Sequence, residues 1–418
     1  MARVVITGIG VVAPGGIGKE VFWDTLVSGK STSALACMDH IERFRSQMVA
    51  AVTDWMPDRY GLTKEVIERT SRHTQFALVS AAEAWAESGL ELERLDLTRL
   101  GVSAGTAIGS TTRLEEEYCV VSKGAIDYDV HPALASPYLY HAMTPTSLSA
   151  ELAAGYRAKG PVVTVSTGCT AGLDAIAHAF EWVRDGDADI VIAGAADAGI
   201  CPVNMAAFDA IKATSPRNDE PGTASRPFDA SRNGFVLGEG SAVLIVEELE
   251  HARSRGCPIY AELRGYGSAL NAYHMTGLQR NGVDMSQAIT MALSEAGVSP
   301  QEIQYINAHG SSTQQNDIHE TNAFKQVWGQ AASTIPISSI KSSIGHSLGA
   351  IGALEIAACA LVIRHHKIPP TINYSFPDPE CDLDYVPNTA REQPVEVLIS
   401  TASGFGGFQS ALVMSRLF

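Results

Sequence analysis

Basic charge is scarce in this 418-residue sequence: 30 Lys and Arg stand against 46 Asp and Glu, a formal net charge of −16. That acidic excess argues against nonspecific nucleic-acid binding and against a membrane-surface protein with a broad basic face, although it leaves room for a local basic patch. Closely spaced cysteines are missing too. The seven, at 37, 119, 169, 201, 257, 359 and 381, form neither a zinc motif nor a disulfide framework, which makes a reducing cytoplasm the natural setting. No run of about 18 uncharged apolar residues occurs, and MARVVITGIG opens on a strand-like run rather than a cleavable signal. The expectation is a soluble, cytoplasmic protein.

A linker rich in Pro, Gly or Ser is likewise absent, so the chain is expected to share one core. Its 45% hydrophobic content suits packed α/β layers rather than disorder. Strand-like runs at RVVITGIG, RLGVSAG, VVTVST and DIVIAGAA alternate with helical stretches such as SRHTQFALVSAAEAWAESG. A second set follows: SAVLIVEEL, IYAELRGYGSA, the helical MSQAITMALSEAG, IQYINAHG, IPISSI, and VLISTASGFGG with QSALVMS. The halves are drawn as 1–250 and 251–418, with the charged EELEHARSRG at their boundary. Residues 106–150 carry the least periodic sequence and read as an insertion that covers a pocket or builds an oligomer contact.

Some motifs are present only on paper. Gly8, Gly10 and Ala13 spell a dinucleotide fingerprint, but Pro14, Gly15 and Gly16 break the helix it needs, and no acidic residue ends a second strand about 20 residues on. Gly101, Ser103 and Gly105 spell a hydrolase elbow without a helix directly behind the serine. The adjacent His365 and His366 lack an acidic or cysteine partner at ligand spacing, so no metal site is expected.

Cys169 stands out because VVTVSTGCTAGLDAIAHAF runs from a β-branched strand through Gly168 into an alanine-rich helix. Backbone N–H groups and the helix dipole at that end favour thiolate, although a lone cysteine is more often a small core residue. The pattern recurs in PISSIKSSIGHSLGAIGALEIAACALVI, where Gly345, His346 and Gly349 match Gly168, Cys169 and Gly172, and Pro336 matches Pro161. Two related halves facing each other would bring a thiol and an imidazole together, the pairing a cysteine nucleophile needs. Capping glycines and serines before helices are common enough for coincidence. His309 sits at the end of IQYIN, with Glu320 downstream, while Lys341 lies five residues before His346. Such Lys and Glu residues are usually solvent-facing, but in a site they would pair and tune the histidines. SGFGGFQ supplies Gly404, Phe405, Gly406 and Gly407, either a plain turn or a source of N–H groups for an oxyanion hole.

Together, VSTGCTAGLD, RPFDASRNGFVLGEG, NAYHMTG, NAHGSSTQQND, SSIKSSIGHSLGAIGALE and SGFGGFQ, in this order and spacing, resemble the β-ketoacyl synthases of the condensing-enzyme superfamily. Asp174 and DPECDLDYVP narrow the resemblance to the ketosynthase alpha subunits of bacterial type II polyketide synthases. It implies a thiolase-like α/β fold with two pseudo-symmetric halves layered αβαβα. It also implies decarboxylative Claisen condensation, with Cys169 as nucleophile and His309 and His346 acting on the malonyl extender. By the same resemblance Lys341 orients them with Glu320 as its partner, Phe405 is a gating aromatic and oxyanion donor, and Thr276, Ser311, Thr313, Gly406 and Gly407 contact the substrate arm. Ser311 and Ser312 depart from the Thr and Gly usual at these positions.

No bound cofactor is implied. Substrates would arrive on the phosphopantetheine arm of a separate acyl carrier protein, since no serine follows an aspartate to form the usual attachment site of a fused carrier domain. A chain-length factor is the expected heterodimer partner. The rival readings are a homodimeric fatty-acid elongation synthase, a noncatalytic scaffold and, more remotely, a thiolase. An acidic carrier also calls for a local Lys and Arg patch near the tunnel mouth.

Overall fold

The computed structural model describes residues 2–124 and 129–418; residues 125–128, which fall inside the expected insertion, lie outside the described residues. The first half is built from β1 (Val4–Ala13), α1 (Arg72–Ser88), β2 (Leu100–Gly105), β3 (Val162–Val165), α2 (Ala171–Asp185), β4 (Ile190–Ala198) and β5 (Leu237–Glu248). The second repeats the plan with β6 (Ala261–Leu270), α3 (Val283–Ala296), β7 (Tyr305–Asn307), α4 (Gln314–Trp328), β8 (Ile337–Ser338), α5 (Ala350–His365), β9 (Val397–Gly404) and β10 (Phe408–Ser415). The strand order is β8-β7-β9-β10-β6-β1-β5-β4-β2-β3, so each half has the same sequence of neighbours outward from the central β1–β6 pair. SAVLIVEEL, grouped with the second set of runs, in fact closes the first half, within the 1–250 boundary: it lies in β5, paired antiparallel to both β1 and β4.

Why these segments layer follows from their faces. Helix α5 is buried on every side from Ala350 to Ile363, as expected of a helix that is apolar all round. It lies with α2 between the two half-sheets, in a core shared by Leu173, Ile176, Leu354 and Leu361 with Val246 and Leu412. The outer helices α1 and α3 each cover one half-sheet, giving the αβαβα layering. Gly8 and Gly10 allow α1 to approach β1, since a Cβ would lie 2.1 Å from the Ala84 carbonyl oxygen and 1.8 Å from that of Ser80. Gly265 and Gly267 play the same part between β6 and α3, with the Ala292 and Ala288 oxygens at 2.5 and 2.1 Å. The apparent nucleotide fingerprint is thus a packing device, and it occurs once in each half. Ser103 of the apparent elbow is buried within β2 and donates to the Ala175 carbonyl at 2.7 Å.

The inner helices cross at glycine. A Cβ on Gly172 would meet Gly349 O and Ala353 N, both at 2.6 Å, and one on Gly352 would meet Leu173 N at 2.5 Å. This contact sets the N-terminus of α2 beside that of α5. Residues 111–143 form helices at Thr111–Val121 and Leu139–Met143 and leave Tyr118, Val120, Leu134, Tyr140 and Met143 exposed. Among the described residues none of this segment lines the cavity beside Cys169. No helix among the described residues is long and apolar enough to cross a membrane.

Candidate active site

Four chain reversals meet at one cavity of about 500 Å³ whose wall includes Cys169, His309, His346 and Phe405. Cys169 follows β3 in a single 3-10 turn, Gly168–Thr170, that runs directly into α2. Gly168 has φ +65° and its counterpart Gly345 has φ +69°, so both junctions use a left-handed residue that costs glycine nothing. His309 follows β7. Its own N–H and that of Gly310 donate to Glu320 of α4 at 2.6 and 2.8 Å, and Thr401 Oγ1 donates to the same carboxylate at 2.7 Å. His346 is clipped to the edge of β5, its N–H donating to Val236 O at 2.8 Å and its carbonyl accepting from Gly238 N at 2.9 Å.

The imidazoles stand 5.2 Å apart, centroid to centroid, at an interplanar angle of 80°. The Leu348 N–H donates to His346 Nδ1 at 3.2 Å, which places that ring's proton on Nε2. Burial holds both histidines well below the usual imidazole pKa, with the Lys341 cation acting in the same direction. They are neutral near pH 7, each with one ring N–H available to donate. Phe235 supports His346 edge-on at 5.2 Å.

The sulfur behaves differently from the sequence-based expectation. Burial pushes the Cys169 thiol up to about 12, outweighing Lys341 and a hydrogen bond from the Phe405 N–H, so the resting site holds a thiol and not a thiolate. Phe405 sits in the turn between β9 and β10, and a Cβ on Gly404 would lie 3.3 Å from Cys169 N. The Cys169 and Phe405 amides are therefore neighbours at the same sulfur.

Lys341 also departs from the expectation. It is buried and pairs with Glu355 of α5, not with Glu320. Glu320 instead fastens the backbone that carries His309. Both carboxyls are lifted to about 7 by burial. Glu355 escaped the sequence reading, although a single acid in the otherwise apolar AIGALEIAACALVI was a usable signal. Asp197 was missed as well. Its buried carboxylate accepts from Thr106 Oγ1 and from the Ala107, Ile108 and Gly349 amides, tying the start of α5 to the first half.

Of the remaining expected residues, Thr276, Ser311, Thr313 and Gly407 line the cavity, whereas Gly406 does not and donates its N–H to Met275 O at 2.6 Å. Lys341 and Glu320 lie behind the wall, among no cavity-lining residues. Ser312 has φ +68°, the backbone that favours glycine, and its hydroxyl accepts from the Arg226 N–H at 2.9 Å. Among the described residues no group of His, Cys, Asp or Glu is arranged to hold a metal ion.

The family model for the β-ketoacyl synthase N-terminal domain matches residues 1–252, and that for the C-terminal domain matches residues 260–375. The chain is 54% identical over 414 residues to the tetracenomycin polyketide synthase ketoacyl synthase alpha subunit of Streptomyces glaucescens, covering 99% of this chain and 97% of that one. It is 41% identical to 3-oxoacyl-[acyl-carrier-protein] synthase 2 of Coxiella burnetii, over 100% and 99% of the two chains. A solved complex of a type II polyketide synthase acyl-carrier protein with its ketosynthase bound to the hexaketide superposes with a TM-score of 0.93 at 42% identity, covering 100% of each chain. The ishigamide ketosynthase/chain length factor superposes at 0.90 with 33% identity, again over 100% of each.

Proposed function

Because the chain belongs to the β-ketoacyl synthase family, we propose that Cys169, His309 and His346 divide a decarboxylative Claisen condensation between them, with Cys169 carrying the growing chain. The enzyme is an acyltransferase of the 3-oxoacyl-[acyl-carrier-protein] synthase type, working as the ketosynthase of a type II polyketide synthase. The higher identity to polyketide alpha subunits, 54% against 41% for the 3-oxoacyl synthase, favours polyketide over fatty-acid extension. Its acyl chains arrive on the phosphopantetheine arm of a separate acyl carrier protein, and a chain-length factor is its heterodimer partner, as in the solved complexes it resembles. The exposed apolar side chains Tyr118, Val120, Leu134, Tyr140 and Met143 supply a surface suited to that partner. The cytoplasm is the matching compartment.

The observation that carries this reading is the convergence of one thiol, two neutral imidazoles and the Phe405 amide on one cavity. In the first step the Cys169 sulfur attacks the carrier thioester. One C–S bond forms, one breaks, and the thiol proton leaves with the carrier's sulfur, so a neutral resting thiol suffices. The Cys169 and Phe405 N–H groups hold the tetrahedral oxyanion. In the second step malonyl carrier enters along Thr276, Ser311 and Thr313. Its thioester carbonyl accepts from the N–H groups of His309 and His346, carbon dioxide departs, and the electron pair of the broken C–C bond becomes an enolate. The enolate carbon attacks the Cys169 thioester, expelling the thiolate, which is then reprotonated.

Burial keeps both rings neutral, the Lys341 cation acts in the same direction, and Lys341 is itself held by Glu355. Gly406, which faces Met275, acts by shaping the turn. Lys212, exposed at the cavity wall beside Ile211, is a candidate member of the carrier-docking patch. Docking through such a patch makes carrier transfer sensitive to salt. The test is CO2 release from malonyl carrier by His309→Ala and His346→Ala. Loss of decarboxylation with retained Cys169 acylation supports the division of labour, and unchanged decarboxylation in both would refute it.

A further inference from the structure

Asp174 is buried, 4% exposed, in the first turn of α2, five residues after the nucleophile. Helical side chains lean toward the N-terminus, so its carboxylate reaches back over the turn that carries Cys169. One oxygen, Oδ2, accepts from Thr167 Oγ1 and, at 2.7 Å, from Thr170 Oγ1, the residues on either side of the Gly168–Cys169 pair. The other, Oδ1, accepts from Tyr266 of β6 at 2.9 Å and from Ser410 of β10 at 2.6 Å, both in the opposite half. Ser410 follows Phe405 by five residues on the strand that leaves the same turn. The carboxylate thus joins the two segments that supply the Cys169 and Phe405 amides. By the alignment of the halves its counterpart in α5 is Ile351, so no equivalent clamp exists at the His346 junction.

We infer that Asp174 is a positioning residue that sets the spacing of the two oxyanion donors by fastening the nucleophile turn of one half to the Phe405 strand of the other. The inference rests on the reading that Cys169 is acylated. Acyl transfer needs both donors at once, whereas malonyl decarboxylation draws on His309 and His346, which Asp174 does not touch. Loss of the clamp should therefore separate the two half-reactions, and a purely structural role would not.

The test is to measure both half-reactions on the intact heterodimer: the rate of Cys169 acylation from acyl carrier by intact mass, and CO2 release from malonyl carrier alone. For Asp174→Ala, acylation is expected to slow by about 100-fold, the size of effect that a misplaced catalytic group brings, with decarboxylation changed less than about threefold. Tyr266→Phe removes one hydroxyl donor and leaves the nucleophile turn untouched, and it is expected to slow acylation by roughly 2- to 12-fold. Tyr266→Phe decides the matter if Asp174→Ala does not fold. Equal losses in both half-reactions, or unchanged acylation, would overturn the inference. Absence of an adduct on the wild-type enzyme would instead overturn the reading of Cys169 on which it rests.

Discussion

The two junctions that open α2 and α5 share a backbone and differ in chemistry. Each passes through a glycine with φ near +65 to +69°, places a reactive side chain next, and then packs its helix on the other at Gly172 and Gly349. At the first, hydroxyls and Asp174 surround a thiol beside the Phe405 N–H. At the second, the Leu348 amide fixes the tautomer of an imidazole, and a buried Lys341–Glu355 ion pair lies behind it. Duplication accounts for where the groups are. On the proposed reading, the side chain placed at each junction and the hydrogen bonds peculiar to it make one the acyl acceptor and the other the enolate stabiliser.

The contrast can be broken from either side. Cys169→Ala removes the acyl acceptor and is expected to lower condensation by about 10⁴-fold or more, as for other enzymes deprived of a nucleophile, read as chain extension on the carrier. Lys341→Met leaves Glu355 buried without its cation and should destabilise the fold by about 3–5 kcal/mol, measured by denaturant unfolding. His346→Ala deletes one donor to the enolate and should slow decarboxylation by about 10²–10³-fold, leaving acylation of Cys169 detectable by mass. Gly172→Ala places a methyl against Gly349 O and Ala353 N and is expected to cost about 1–3 kcal/mol, seen as a lower Tm.

A gentler probe is pH. His309 and His346 have folded pKa values below those of the unfolded chain, so the native state binds fewer protons. Their contribution to stability therefore declines as pH falls below the unfolded value of about 6.5. Activity that needs neutral rings persists below that pH. Potentiometric or chemical-denaturation measurements between pH 7 and 5 should show this slope, and it should flatten in His309→Ala.

Much of this was legible in the residues because it depends on local pattern. Strand, glycine and alanine-rich helix mark both junctions, and the match of Gly168, Cys169 and Gly172 to Gly345, His346 and Gly349 pointed to the duplication that the strand order repeats. What was not legible depends on how elements cross. Lys341 faces Glu355 and not Glu320 because α5 runs beneath it, a fact of helix packing that spacing does not encode. The resting thiol was misjudged for a similar reason: the helix terminus was visible in sequence, whereas the burial that outweighs it is a sum over distant segments. In sequence Gly406 is indistinguishable from its neighbours in the turn, yet its amide points at Met275. SAVLIVEEL reads with the second set of strand-like runs although it lies within 1–250, because a strand's sequence does not say which neighbour it will pair with.

The most direct measurement is intact mass of the protein, alone and with the proposed chain-length factor partner, after incubation with acyl-loaded and malonyl-loaded carrier protein, with Cys169→Ala alongside. An acyl adduct on the wild type and none on the variant, together with a longer chain on the carrier, is the expected result. Chain extension by Cys169→Ala at the wild-type rate, or a folded wild type that forms no adduct under either condition, would contradict the assignment of Cys169 as the residue that carries the growing chain.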